Sequence, residues 1–149
     1  PSDKSGIRKN DIINAVNGNY VNTVKTGNLI FISGKGPLKI DGNYVLGKLG
    51  ENLTLDQGYE AARLTAINLI STLKASIGDL SKVKRIVRVT GMVNATSNFT
   101  DHPKVVNGCS DLLVEVFGDN GKHTRAAVGM NSLPLNIAVE IDMVVEVYD

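Results

Sequence analysis

The chain is poor in residues that staple, ligate or stack. Its single cysteine, Cys109, cannot close an internal disulfide and belongs to no paired-cysteine motif. The expected setting is therefore a reducing compartment, the cytoplasm. The chain begins at Pro1 with no initiator methionine, which leaves organellar import open. His102 and His123 are the only histidines, and neither has cysteines or carboxylates at ligand spacing, so no metal site is expected. No nucleotide-binding or hydrolase motif stands out either. Gly34-Lys35-Gly36 lacks the third glycine of a dinucleotide fingerprint and the Lys-Ser/Thr of a P-loop, and no G-x-S-x-G elbow is present. No apolar stretch approaches the roughly 20 residues that span a bilayer, so a membrane partner is not expected. Sixteen basic residues stand against 15 acidic ones, a net charge of +1. That balance gives no general pull towards nucleic acid. Lys82, Lys84 and Arg88 share a strand face, but aromatics are only 5% of the chain and none falls on the face at 82, 84, 86, 88 and 90. Single-strand RNA readers interleave aromatics for base stacking. The lysines and arginine read instead as charges protecting a solvated sheet edge.

What is present fits one globular domain. The length of 149 residues, 42% hydrophobic and 21% charged, is enough to bury a core without covalent staples. Residues 1–17 read as a polar N-terminal extension with an apolar patch at Ile12-Ile13, ending in the turn signal Asn17-Gly18-Asn19. Residues 18–149 read as the domain. Tyr20–Val24 and Leu29–Ser33 form a hairpin about Thr26-Gly27-Asn28, and Leu38–Ile40 and Tyr44–Leu46 flank Asp41-Gly42-Asn43 as a second, smaller one. Thr54 opens a helix with Gln57 at capping-box spacing and Asp56 at the positive end of the dipole. Ala62, Ala66, Leu69, Ile70, Leu73 and Ile77 make its apolar stripe, and Gly78 ends it in the left-handed region. Val83–Val93 is β-branched and strand-like. Asp101 or Thr100 caps a second helix with Pro103 in its first turn. Its apolar face is Val105, Val106, Cys109, Leu112, Leu113, Val116 and Phe117, and Gly118 closes it. Cys109 on that face reads as a small core residue rather than a nucleophile. The pattern predicts an α+β fold, a mixed sheet with two helices packed on one face.

Arg125 interrupts an apolar strand, Thr124–Met130. After a Leu133-Pro134 corner comes the strand Asn136–Val147, with 137, 139, 141, 143, 145 and 147 on one face and Glu140, Asp142 and Glu146 on the other. Small residues beside Arg125, Ala127 and Gly129, leave room for a carboxylate to dock on its fork of donors. The other reading is a surface strand arginine paired with a strand carboxylate.

Arg125 followed by Leu133-Pro134 and then Glu140 in a Val-Glu-Ile strand resembles the Rid family of reactive-intermediate deaminases, also called YjgF or L-PSP endoribonuclease. Gly18-Asn19-Tyr20-Val21 resembles that family's Gly-Pro-Tyr segment, and Gly27-Asn28-Leu29-Ile30-Phe31-Ile32-Ser33-Gly34 its Gly-Asn-hydrophobic-Ser-Gly strand. The helix from Leu55, the Gly78-Asp79-Leu80 turn, the strand from Val83 and Asn107 on the second helix follow in the family's order. The resemblance covers roughly residues 18–147.

It implies a chorismate-mutase-like single domain that assembles into homotrimers, with a ligand cleft at each subunit boundary. It also implies hydrolytic deamination of reactive 2-imino acids and their enamines to 2-keto acids and ammonia, without cofactor. By position, Arg125 matches the arginine that holds the substrate carboxylate, Glu140 the acid near the attacking water, and Tyr20 the tyrosine closing the cleft. The backbone at Ser33, Gly34 and Ala127, with Asn107, matches the remaining walls. The departures mark a divergent branch: Asn19 for proline, Lys35 for glutamine, Ala127 for cysteine, and an insertion at 100–104. Two other functions fit the family: a non-catalytic module that senses a small carboxylate with the same arginine, and a ribonuclease. The latter would need an acid/base pair and a phosphate site that the sequence does not supply.

Overall fold

In the computed structural model, residues 19–149 are described; the N-terminal extension at 1–17, with its Ile12-Ile13 patch, lies outside them. The longest helix starts where its capping chemistry dictates. The Thr54 hydroxyl accepts from the Gln57 N–H, the Gln57 side chain accepts from the Thr54 N–H, and α1 runs Leu55–Ile77. Gly78 ends it with φ +85° and ψ −44°, a positive φ outside the left-handed helical basin expected for it, and its N–H still reaches the Lys74 carbonyl. The second helix, α2, is His102–Phe117. Asp101 is its N-cap residue, but its side chain makes no capping bond.

Five strands complete the domain: β1 Thr23–Thr26, β2 Leu29–Lys35, β3 Val83–Asn94, β4 Thr124–Met130 and β5 Val139–Val147. They form one sheet in the order β1-β2-β5-β3-β4. Only β3 and β4 run parallel, joined by α2 as the crossover. Along β5 burial alternates at every residue, with Val139, Ile141, Met143, Val145 and Val147 all inside. This face carries the helices, and Leu69, Leu73, Val106 and Leu113 close the core over it. The two helices meet closely because Gly108 on α2 leaves no gap over the backbone of Tyr59 and Arg63. Gly91 on β3 does the same beneath Val106, whose Cγ2 would lie 2.5 Å from an added Cβ.

Several expectations need correction. The first strand starts at Thr23 rather than Tyr20: the Asn22 carbonyl still accepts the Ser33 N–H, but the Val21 carbonyl accepts the Ser33 hydroxyl in place of a backbone N–H. The second small hairpin is present but short, with one antiparallel bridge, Leu38 to Tyr44, flanked by Lys39 N–H donating to the Asn43 carbonyl and Val45 N–H to the Pro37 carbonyl. The last strand starts at Val139 rather than Asn136, because Leu135 and Asn136 take φ of 57° and 60° in a 3-10 turn at Pro134–Asn136. Val116 is 47% exposed rather than core. Strand β3 is not a sheet edge but lies between β5 and β4; its first half alone is uncovered, since pairing with β4 begins at Arg88. Lys82 precedes that strand, in a 3-10 turn, and donates to the Ile77 carbonyl at the end of α1. Lys84 and Arg85 both pair with Glu146.

Candidate functional site

Arg125 and Glu140 point to opposite faces of the same sheet. The register places half-buried Arg125 beside Val89 and Val89 beside Met143, the last two buried beneath the helices. It places Glu140 beside Met92, one step out of phase and on the open face. Each chain therefore presents two separate clusters.

The first is built by β4 and α2. Arg125 Nη1 donates to Asn107 Oδ1 at 2.8 Å and to Ser110 Oγ at 3.1 Å. Both protons of that nitrogen are thereby used, and Nε with Nη2 remains as an adjacent donor pair, the geometry that matches two carboxylate oxygens. Ala127 follows on the same face, and Gly129 makes room for His102 of α2. Two further members of this cluster escape the sequence reading. Ser110 Oγ lies 2.9 Å from His123 Nε2, and His123 Nδ1 lies 2.6 Å from the Gly121 carbonyl. The available signal was alternation: His123 and Arg125 are two apart in extended chain and share a face. Burial lowers the His123 pKa and the nearby Arg125 charge lowers it further, against the pull of the Gly121 carbonyl. Cys109, one helical position before Ser110, is buried, and burial pushes its thiol up to about 12. It packs rather than reacts.

The second cluster is built by β2 and β5. Glu140 lies against Gly34, where an added Cβ would come within 2.8 Å of Glu140 Oε1; glycine is what gives the carboxylate its place. Burial raises the Glu140 pKa, and Asp142 beyond it on the same face raises it further. An open groove of about 280 Å³ runs along this face past Val24, Phe31, Ser33, Gly34 and Asp142. The Ser33 hydroxyl donates to the Val21 carbonyl at 2.7 Å, and buried Lys35 donates to Asn22 Oδ1 at 2.5 Å. These bonds pin the segment carrying Tyr20, itself 46% exposed, to the Ser33–Lys35 end of β2. Among the described residues no three His, Cys, Asp or Glu side chains gather as a metal ion would need, and no helix is long and apolar enough to cross a membrane.

A family model described as "YjgF/chorismate mutase-like, putative endoribonuclease" matches residues 4–147. The chain belongs to this YjgF/chorismate mutase-like family. Protein TCP17 of Trypanosoma cruzi is 43% identical over 129 residues, 86% of this chain and 81% of that protein. The crystal structure of Atu1372 from Agrobacterium tumefaciens, of unknown function, shares 41% identity and superposes with a TM-score of 0.85 over 87% of this chain and 83% of that one. TdcF of Escherichia coli, solved with bound serine, is 18% identical with a TM-score of 0.60, covering 87% of this chain and 88% of its own. At that identity the likeness to TdcF is one of fold.

Proposed function

We propose that this YjgF-family chain is a hydrolytic deaminase of 2-imino acids and their enamines, working as a homotrimer. Arg125 would hold the substrate carboxylate through Nε and Nη2, on a guanidinium steadied by Asn107 and Ser110. Two-point capture of a planar carboxylate fixes which way the imine carbon faces. Glu140 would direct a water at that carbon. Addition of water to C=N gives a carbinolamine. Proton transfer to its nitrogen and breakage of the C–N bond then release ammonia and leave the 2-keto acid. A carboxyl whose pKa lies above its ordinary value gives and takes protons more readily near neutrality than an ordinary glutamate does. Tyr20 and the backbone at Ser33, Gly34 and Ala127 would wall the cleft.

The observation that carries this reading is the pair of clusters on opposite sheet faces: a donor fork on one and a partly buried carboxylate packed against Gly34 on the other. A cleft between copies unites them. The open face also bears Phe31, Val24 and Val128, at 45, 55 and 40% exposure, apolar surface of the sort an interface covers. TdcF, which shares the fold, binds serine, and a small amino-acid-like carboxylate is the ligand class adopted here. The ribonuclease reading has less support, because Lys84 and Arg85 of β3 are both drawn into ion pairs with Glu146.

The test is ammonia release from 2-iminopropionate generated in situ by a pyridoxal-phosphate dehydratase acting on serine. Acceleration above the uncatalysed hydrolysis supports the deaminase. Binding of pyruvate or 2-oxobutanoate with no acceleration would assign the chain to carboxylate sensing instead.

A further inference from the structure

We infer that Ser110 and His123 are positioning residues that set which edge of the Arg125 guanidinium is offered to a carboxylate, an inference that deepens the proposed function and rests on it. For a neutral imidazole the chain of donors reads in one direction. The Gly121 carbonyl can only accept, so His123 Nδ1, 2.6 Å away, carries the ring proton. In the neutral ring Nε2 is then an acceptor, and the Ser110 hydroxyl, 2.9 Å away, donates to it. With its proton committed, Ser110 Oγ offers its lone pairs to Arg125 Nη1 at 3.1 Å, while Asn107 Oδ1 takes the other proton of the same nitrogen at 2.8 Å. The guanidinium is thereby locked in rotation with Nη1 turned to α2, leaving the Nε–Nη2 edge for the ligand.

Ser110 departs from the usual behaviour of a hydroxyl inside a helix. Such groups turn back onto the carbonyl four residues earlier. Thr65 does so on Ala61 and Thr72 on Asn68, both in α1. Ser110 in α2 points to His123 instead. Without the imidazole acceptor, its hydroxyl would be free to fold back onto the carbonyl of Val106, which rotates its lone pairs away from Arg125. His123 thus acts on the carboxylate site through two bonds without touching ligand. The charged neighbour facing it is Arg125 on β4, which favours the neutral ring that the relay requires. Lys122, next to it in the chain, is paired with Asp119 at the surface.

The test uses the full chain with nitrogen-15 labelling. In the wild type the His123 ring should read as the neutral Nδ1–H tautomer, and the Arg125 guanidinium should rotate slowly about its Nε–Cζ bond. Ser110→Ala should free that rotation and weaken 2-oxobutanoate binding, measured by calorimetry, about tenfold, the scale of one hydrogen bond to a charged group. His123→Phe, which keeps the ring volume, should do the same, and Ser110→Thr, which returns the hydroxyl, should restore both. The opposite tautomer in the wild type, a reading that needs no variant to fold, overturns the relay. So do unchanged rotation and affinity in a folded Ser110→Ala chain. If the guanidinium responds as expected but the wild type neither binds a keto acid nor releases ammonia, the deaminase reading fails while the relay stands.

Discussion

Arg125 illustrates how a residue's value depends on which of its donors remain. Because Nη1 is shared between Asn107 and Ser110, a lysine in its place would have one nitrogen to serve both the shelf and the ligand. Arg125→Lys should lower keto-acid affinity and turnover efficiency at least about tenfold while the fold melts unchanged; wild-type binding in that variant would make Arg125 an ordinary strand residue. Glu140 makes the complementary case. Burial and Asp142 raise its pKa, so the folded chain holds a proton that the unfolded chain has already released, and ionisation costs stability as pH rises from the ordinary glutamate value of 4.5 through the folded one. Glu140→Gln should therefore melt at the same or a higher temperature at neutral pH, yet lose about 10²–10⁴-fold in turnover. A destabilised Gln variant would show that the carboxylate is structural. His123 has the opposite sign. Its pKa is lowered, so the unfolded chain protonates first: stability is full above the ordinary 6.5 and falls as pH drops from there through the folded value. His123→Phe should flatten that decline, measured as the difference in urea midpoints between neutral and mildly acidic buffer.

At the scale of elements, the local signals and the tertiary ones part company. The capping box at Thr54 and Gln57, the apolar stripes of both helices and the alternation of β5 are properties of adjacent turns or residues. These were legible in the sequence, and with them the layer of two helices on one sheet face. What was not legible depends on partners far apart in the chain. The clipped starts of β1 and β5 go with the Val21 carbonyl held by the Ser33 hydroxyl and with positive φ at Leu135 and Asn136. The separation of Arg125 from Glu140 needs the register of β4 on β3 and β5 on β3, and alternation within a single strand does not supply it. Ser110 and His123 were missed because neither belongs to a motif; α2 and β4 bring them together only in the fold. Gly108 is the clearest element-scale test. Its missing side chain lets α2 rest on the backbone of Tyr59 and Arg63, where rigid carbonyl and amide atoms cannot move aside. Gly108→Ala favours an isolated helix, so any loss is tertiary. It should destabilise the chain by about 1–3 kcal/mol in urea unfolding, and a neutral or stabilising result would mean that the helices separate without penalty.

At the scale of the whole molecule, the two faces of the sheet decide how an active centre can be assembled. One chain cannot bring the Arg125 guanidinium to the Glu140 carboxylate, since the sheet itself lies between them. A shared cleft in a homotrimer of about three times 15.9 kDa solves this if the β4–α2 corner of one copy meets the open β2–β5 face of the next, a head-to-tail contact that closes into a ring. Light scattering that shows a monomer at micromolar concentration would remove the shared cleft. A stricter test mixes two crippled chains. Arg125→Lys and Glu140→Gln trimers should each be nearly inactive. After co-expression in equal amounts, a cleft regains both native groups when its arginine comes from a Glu140→Gln chain and its glutamate from an Arg125→Lys chain. Random assembly makes that about one cleft in four, so about a quarter of wild-type ammonia release should return. If both groups served one site from one chain, no mixture would recover activity, because every chain carries one of the two lesions.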